Sequence, residues 1–357
     1  MASQGGQLVE GLSKAGAEHV TLPLATKSPL GLWRNAQRLA EIIQREKVSI
    51  IHARSRAPAW SALWAARKTG IAFVTTYHSE YSERGRIKNF YNSVMARSDK
   101  VIAVSDYMAH LIRTRYATPE SRIAIIHRAF DPAKFDPAAI TAERIAAIRR
   151  LFDVADGQRI LLLAGRITPR KAQHHLVEAL GILKSQGHSK IVAVLAGDIE
   201  KPEFLDKLKA DAARLGVVDW LRFPGHVQDM AAAYTITGMS VNISEQEGLP
   251  RVAIEAQAMA VPMIVADTGP GREVALTPPD VALSEASGLR VPYGDPKALA
   301  EAIATLLAWP ESERKACGQR GSNHVRRRFT LEQMTSKTLA VYHEVLASRA
   351  AKGHNKP

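Results

Sequence analysis

The sequence is poor in cysteine and lacks long apolar runs. Its single cysteine, Cys317, excludes an internal disulfide framework and is typical of a reducing compartment. The longest apolar runs, at 160–165, 191–197 and 261–266, are far shorter than the ~20 residues of a membrane-spanning helix, and no signal-peptide pattern opens the chain. We therefore expect a cytoplasmic protein that is at most peripheral on the inner face of a membrane.

The composition is that of an ordinary globular protein. Hydrophobic residues make up 46% of the 357 residues and charged residues 23%, which excludes disordered, collagen-like and coiled-coil chains. Because this length exceeds what one hydrophobic core usually serves, two domains are expected.

The positive charge is concentrated in the first part of the chain. Residues 1–150 carry a net charge of +11, whereas residues 151–357 carry +2. An excess of this kind suits an anionic partner such as nucleic acid, an acidic lipid surface or a phosphorylated sugar, or it serves only solubility. No recognisable nucleic-acid-binding module accompanies the charge, so nucleic acid is not the expected partner.

Short apolar runs alternate with helix-length segments along the whole chain, and continuous apolar runs are typical of strands buried on both faces of a parallel sheet. Strands are predicted at 48–52, 72–77, 100–105, 122–127, 159–164, 190–196, 221–224, 239–243, 262–266 and 289–291, and helices at 32–46, 142–152, 174–186, 201–215 and 295–307. This alternation predicts doubly wound α/β domains. A turn-rich stretch at 130–137 places the boundary between 131 and 157, giving domains 1–152 and 153–330.

Two loops after predicted strands carry candidate binding residues. Gly165, Arg166 and Lys171 follow strand 159–164, and this glycine with two cations suits a diphosphate or is a solvated basic loop. Glu247 and Glu255 follow strand 239–243, where two carboxylates can accept hydrogen bonds from sugar or ribose hydroxyls. Glutamate near a helix start is also a good cap, so the second pattern has a purely structural reading.

Together these motifs resemble those of the family 4 glycosyltransferases, which are retaining enzymes. The resemblance begins with Gly165-Arg166 and Lys171, followed by Glu247-Gly248-Leu249-Pro250 and Glu255, and covers roughly residues 5–350. Further fragments occur in the family's order: residues 101–105; Asp131 with Phe135; Phe223-Pro224-Gly225 with Asp229 and Tyr234; Asp267, Gly269 and Glu273; residues 288–292 with Gly294-Asp295-Pro296.

The resemblance implies an α/β fold of the GT-B type, with two doubly wound Rossmann-like domains facing a cleft. Residues 1–152 would form the acceptor-side domain and residues 153–330 the nucleotide-sugar donor domain. A C-terminal helix at 331–350 would pack back on the first domain.

The resemblance also implies the site residues and the chemistry. Donor binding would involve Arg166 and Lys171 at the diphosphate, Glu255 at the ribose and Glu247 at the sugar, together with Gly165, Gly248 and Leu249. His78 would face the donor sugar, so His78 and Glu247 are the catalytic candidates. The reaction would transfer a glycosyl group such as a hexose with retention at the anomeric carbon. No cofactor and no metal are expected, because the cations stabilise the departing diphosphate.

The expected acceptor, by resemblance, is a lipopolysaccharide or another envelope glycan or glycolipid. Cations stand near aromatic residues in the first domain, which suits docking on an anionic membrane surface or a phosphorylated glycolipid. The alternative is a solvated loop beside a core helix. The residues are Arg54, Arg56, Trp60, Trp64, Arg84, Arg86, Lys88, Phe90 and Tyr91.

Departures from the family pattern leave alternatives open. Ala172 stands where a glycine usually follows the lysine, and Arg128-Ala129 replaces an Asn-Gly pair. No apolar strand precedes Gly5-Gly6, so the first strand and its glycine-rich loop are expected to be missing. A truncated, catalytically impaired nucleotide-sugar-binding protein is therefore one alternative, and a non-transferring GT-B enzyme such as a nucleotide-sugar epimerase is another.

Overall fold

A computed structural model describes residues 1–6, 9–81 and 85–354, with side chains to residue 351. The contacts divide the chain into a front unit, Met1–Ile126 together with the segment from Thr335 onwards, and a back unit, His127–Met334. In the described part of the chain, no helix combines the length and apolarity needed to cross a membrane.

The front unit is a parallel α/β structure. Its elements are β1 (Ala2–Ser3), α1 (Val9–Lys14), β2 (Val20–Thr21), α2 (Pro29–Arg45), β3 (Ile50–Ala53), α3 (Arg56–Thr69), β4 (Ala72–Tyr77), α4 (Arg86–Asn92), β5 (Lys100–Ala103), α5 (Asp106–Tyr116) and β6 (Ile123–Ile125). The sheet order is β3-β4-β5-β6, with every pair parallel and β4 buried along its whole length. A second sheet of two strands pairs β1 with β2 in parallel.

A short strand does precede Gly5 and Gly6, so that part of the sequence-based expectation is wrong. The Val20 amide donates to the Met1 carbonyl and the Leu22 amide to the Ser3 carbonyl, both at 2.8 Å. Gly5 and Gly6 follow with φ of +94° and +133°, which favours glycine. The sequence pattern did not predict this strand, because its two residues, Ala2 and Ser3, form no apolar run and only backbone hydrogen bonds define it.

The back unit contains a larger parallel sheet. Its elements are α6 (Ala142–Phe152), β7 (Arg159–Ala164), α7 (Gln173–Ser185), β8 (Ile191–Ala196), α8 (Pro202–Arg214), β9 (Leu221–Gly225), α9 (Met230–Thr235), β10 (Met239–Asn242), α10 (Arg251–Ala258), β11 (Met263–Ala266), α11 (Gly269–Val274), β12 (Gly288–Val291), α12 (Pro296–Ala308) and α13 (Glu311–Arg328). The strand order is β9-β8-β7-β10-β11-β12, with all pairs parallel. The doubly wound α/β architecture predicted from the sequence is confirmed.

The boundary between the units lies before residue 127 and not at residue 152. Helix α6 packs against α9 and β9 of the back unit. Arg144 on α6 forms a bidentate ion pair with Asp229, in which Nε and Nη2 donate to the two carboxylate oxygens at 2.7 and 2.8 Å. The turn-rich stretch is also held in this unit, because Arg326 donates to the Phe135 carbonyl at 2.9 Å. Turn residues indicated a linker there, but these tertiary contacts make the stretch part of the back unit.

The last helix, α14 (Leu331–His354), belongs to the front unit from Thr335 onwards. The Tyr342 hydroxyl contacts Nδ1 of His52 at 2.7 Å, and Glu344 pairs with Lys100 at 2.6 Å. Segments far apart in the sequence therefore complete the front unit.

Candidate functional site

The order of strands in the back sheet locates the candidate site. Strands β7 and β10 are neighbours, yet the chain continues from β7 to one edge of the sheet and from β10 to the other. Ligands of such sheets bind outside the carboxyl ends of the strands at this reversal. The loop after β7 carries Gly165 to Lys171, and the loop after β10 carries Glu247. A backbone bond of 2.9 Å from the Glu245 amide to the Arg170 carbonyl joins the two loops.

Lys171 and Glu247 meet directly between these loops. The Lys171 ammonium pairs with Oε1 of Glu247, and the two side chains are only 18% and 16% exposed. Gly165 makes room for the lysine: its φ is +152°, and a Cβ there would lie 3.3 Å from Cε of Lys171. Gly165, Lys171 and Glu247, which the sequence analysis selected as candidate site residues, therefore lie together in the structure.

The Arg166 side chain points elsewhere. Its guanidinium pairs with Glu200 in the loop after β8, and both side chains are largely exposed. Only the Arg166 backbone is held at the site, because Nε2 of the buried Gln173 donates to its carbonyl at 2.9 Å. A contact between Arg166 and a ligand therefore requires the exposed Glu200 pair to open, which costs less than about 1 kcal/mol.

Glu255 lies one helix turn beyond the start of α10 and is almost fully buried. Arg251 donates to Oε1 of Glu255 at 2.9 Å. Burial raises the pKa of the Glu255 carboxyl above its usual value, while Arg251, Lys134 and Arg128 act in the opposite direction. The carboxylate therefore sits in a desolvated, positively charged environment, where a hydroxyl donor would be bound strongly.

The start of α10 also faces the site. Gly248 and Leu249 are buried and anchor the loop, and Pro250 occupies the cap position. The cap residue makes no side-chain hydrogen bond to this helix start, and the Ala253 amide donates to the Pro250 carbonyl at 3.2 Å. The amides that precede Ala253 and the positive end of the helix dipole therefore suit an anion.

A cavity of about 410 Å³ joins these groups, a size typical of small-molecule sites. Four cations and two carboxylates line it, together with His226 and a mainly apolar wall. The charged residues are Arg128, Lys134, Lys171, Arg251, Glu247 and Glu255. This balance suits an anionic ligand that also presents hydroxyl groups.

Three of the cavity cations were not among the predicted site residues. Arg128 and Lys134 flank Asp131 in the stretch that precedes α6, and Arg251 opens α10. Their charge was visible in the sequence, but Arg128 and Lys134 follow no strand of the back sheet, so the strand-end rule did not select them.

His78 follows β4 in the front unit. Nε of Arg54, which follows the neighbouring strand β3, donates to Nε2 of His78 at 3.0 Å. This bond makes Nε2 an acceptor and leaves the proton of a neutral ring on Nδ1. Nearby, burial and the charge of Arg54 lower the pKa of His52 to about 4, so the ring between Tyr342 and Thr76 is neutral at pH 7.

An exposed surface with aromatic and basic side chains lies on α4 and its neighbours. Ile87 is 89% exposed and Phe90 58% exposed. Phe90 stacks on Trp60 with ring centroids 5.3 Å apart, and the Arg97 guanidinium lies over both rings. Arg86 is exposed and Lys88 is half-buried on the same helix, whereas Arg84 lies outside the described residues. Arg56 donates to Asn92, the last residue of α4, at 2.6 Å, and its guanidinium lies 5.8 Å from the centroid of the Tyr91 ring.

Two family models together cover most of the chain. The model described as Glycosyltransferase Family 4 matches residues 5–134, and the one described as Glycosyl transferases group 1 matches residues 145–324.

Individual proteins show the same relationship. A D-inositol 3-phosphate glycosyltransferase from Salinispora tropica is 30% identical over 71% of this chain and 52% of its own length. The lipopolysaccharide core biosynthesis mannosyltransferase LpcC from Rhizobium leguminosarum is 30% identical over 71% of this chain and 66% of its own length. The chain thus spans about half to two thirds of these curated relatives.

A solved structure matches over nearly the whole chain. The crystal structure of a glycosyltransferase from Rickettsia africae is 31% identical, with a TM-score of 0.85, covering 97% of this chain and 89% of the other. The GT-B fold expected from the sequence is thereby confirmed. The chain belongs to the family 4 glycosyltransferases.

Proposed function

We propose that the protein transfers a sugar from a nucleotide-sugar donor to an acceptor hydroxyl, with retention at the anomeric carbon. One observation carries this proposal: a single cavity at the strand reversal of the back sheet contains Lys171, Glu247 and Glu255 beside the open start of α10. Cations and helix amides suit a diphosphate, and the two carboxylates suit the hydroxyls of a ribose and of a sugar.

Each site residue then has a separate task. Lys171 and the first amides of α10 bind the diphosphate, and Arg166 joins them when its exposed pair with Glu200 opens. Glu255 accepts from the ribose hydroxyls, and Glu247 accepts from the sugar hydroxyls. Gly165, Gly248 and Leu249 hold the loops in place, and His78 positions the sugar.

In the proposed reaction the acceptor oxygen attacks the anomeric carbon from the face that the diphosphate leaves. The bond between the anomeric carbon and the phosphate oxygen breaks, and its electron pair remains on the diphosphate. The acceptor hydroxyl proton passes to that departing oxygen, so the charges balance. The positive charge at the site lowers the energy of the leaving group, and we propose that no metal ion or cofactor takes part.

We further propose that the acceptor is an envelope glycan or glycolipid and that the protein acts in the cytoplasm on the inner face of a membrane. Support comes from the exposed surface of Ile87 and Phe90 with Arg86, Lys88 and Arg97, because apolar groups flanked by cations suit an anionic bilayer surface. The relative LpcC is described as acting in lipopolysaccharide core biosynthesis, which agrees with this class of acceptor.

The experiment has two stages. Calorimetry with UDP, GDP and ADP and with UDP-glucose, GDP-mannose and ADP-glucose identifies the nucleotide, and NMR then gives the anomeric configuration of the transferred sugar. An inverted product contradicts the mechanism. Binding of a nucleotide sugar without transfer to lipopolysaccharide or other glycolipid acceptors favours the binding-protein alternative, and conversion of the bound sugar to an epimer favours the epimerase.

A further inference from the structure

We propose that the Lys171–Glu247 pair makes the site discriminate against a bare nucleoside diphosphate in favour of the nucleotide sugar. The inference rests on the proposed function and concerns selectivity between the donor and the product of the reaction. Glu247 would act by repelling the product as well as by contacting the donor.

The geometry puts a carboxylate next to the diphosphate-binding cation. Lys171 and Glu247 are paired at the junction of the two loops, and both side chains are more than four-fifths buried. The same cavity includes Pro250 and Arg251 at the start of α10. A phosphate that reaches the Lys171 ammonium and the α10 amides therefore also comes close to the Glu247 carboxylate.

The two ligands differ in charge at that point. The terminal phosphate of a free nucleoside diphosphate carries about −1.5 to −2 near pH 7, whereas a phosphate esterified to a sugar carries about −1. In a partly desolvated site, like charges repel more strongly than in water. Glu247 therefore opposes binding of the free diphosphate more than binding of the ester.

The two ligands also differ in what they offer Glu247. When a phosphate competes for the Lys171 ammonium, the Glu247 carboxylate loses part of its ion pair. A donor sugar supplies hydroxyl donors that compensate for this loss, but a bare diphosphate supplies none. A charged acceptor left without its donor costs free energy, and an element that penalises one ligand in this way creates specificity. For the enzyme, the consequence is faster departure of the product.

The test compares dissociation constants of wild type and Glu247→Gln for UDP, GDP or ADP, whichever the wild type binds, and for the corresponding sugar ester. We expect Glu247→Gln to tighten binding of the diphosphate about tenfold and to change binding of the sugar ester less than threefold. The selectivity ratio, which is the dissociation constant of the diphosphate divided by that of the sugar ester, should therefore fall about tenfold. The β-methyl ester of the same diphosphate separates the two causes, because it has the charge of the sugar ester but no sugar hydroxyls. It should bind the wild type with intermediate affinity.

The control is Glu245→Gln, which removes the same charge from an exposed side chain of the same loop. It should leave the ratio unchanged. Glu247→Asp keeps the charge and should keep most of the selectivity, and it provides an independent variant should Glu247→Gln not fold.

The outcomes for the inference and for the proposed function are distinct. If the wild type binds none of the six nucleotides, the proposed function fails. If the wild type binds them but Glu247→Gln changes the dissociation constants of the diphosphate and the sugar ester by the same factor, the inference is wrong while the proposed function stands. The same conclusion follows if Glu245→Gln lowers the selectivity ratio as much as Glu247→Gln does. If Glu247→Asp is as unselective as the glutamine variant, charge repulsion is not the cause.

Discussion

At the scale of single residues, we expect Lys171 to be the cation on which binding of the proposed nucleotide depends most. We expect Lys171→Ala to weaken binding of the nucleoside diphosphate by about 1.5–3 kcal/mol, roughly 10- to 150-fold, because a charge-assisted contact is lost and Glu247 then faces the phosphate without a partner. Calorimetry measures the change. Arg170→Ala removes an exposed cation from the same turn and should alter affinity less than twofold. Equal losses in both variants would show that only general charge matters.

The residues of the site were partly predictable from the sequence. Gly165, Lys171, Glu247 and Glu255 follow the carboxyl ends of parallel strands, and this position alone brings them to one edge of the sheet. The partner of Arg166 was not predictable, because the position of Glu200 depends on how the loop after β8 folds.

Backbone strain at a single residue gives a second prediction. Lys190 is exposed and adopts φ = +58°, a conformation that costs a residue with a side chain about 1–2 kcal/mol. After allowing for the greater freedom of glycine in the unfolded chain, we expect Lys190→Gly to raise the free energy of unfolding by about 0.5–1 kcal/mol. Urea unfolding measures it. Lys209→Gly, on the exposed side of α8, should instead lower the free energy of unfolding by about 0.5–1 kcal/mol.

At the scale of elements, the ion pair between α6 and α9 makes stability depend on pH. The hydrogen bonds from Arg144 hold the pKa of Asp229 below its usual value. A lowered carboxyl pKa in the folded state contributes stability that is complete above the usual pKa of about 4 and is lost as the pH falls through the lowered value.

Asp229→Asn tests this effect, since asparagine can still cap α9 through the Ala232 amide but carries no charge. We expect the variant to be less stable than wild type by about 0.5–1 kcal/mol at pH 7, the upper range for a partly exposed pair. Urea unfolding at pH 7 and near pH 3 should show that the difference shrinks in acid. A difference independent of pH would assign the effect to packing.

The surface helix α4 is the element expected to meet lipid. We expect Ile87→Ser to lower binding to vesicles rich in phosphatidylglycerol about tenfold, because burying an isoleucine side chain contributes roughly 1.5–3 kcal/mol. Cosedimentation measures the partitioning. Ile199→Ser, which changes an exposed isoleucine of the back unit, should have no effect. Binding that is equally strong in neutral vesicles and in high salt would contradict a role for the cations.

Elements were predictable where burial determined them. The predicted bounds of β4, β7 and α6 agree with the structure, because short apolar or β-branched runs, or amphipathic spacing, define those segments. Strand β1 and the boundary before His127 were missed, since backbone pairing in one case and tertiary packing in the other determine them.

For the whole molecule, we expect the bound nucleotide to need no divalent cation. Treatment with EDTA should change the affinity for the nucleoside diphosphate less than about twofold, and added Mg²⁺ should not increase turnover, because lysine, arginine and helix amides supply the positive charge at the phosphates. Calorimetry and a turnover assay, with and without EDTA, test this. A tenfold loss that Mg²⁺ or Mn²⁺ restores would show that a metal ion is required.

The split of the front unit across the sequence has a consequence for synthesis on the ribosome. Its sheet is made early, but α14, which contacts His52 and Lys100, emerges roughly 200 residues later. At about 5–20 residues per second this delay lasts on the order of 10–40 s. The back unit, continuous from His127 to Met334, is translated in full before the front unit has all of its parts. Until α14 has been synthesised, the surface of the front unit that α14 covers in the folded protein is exposed. This surface is where a chaperone would be expected to bind.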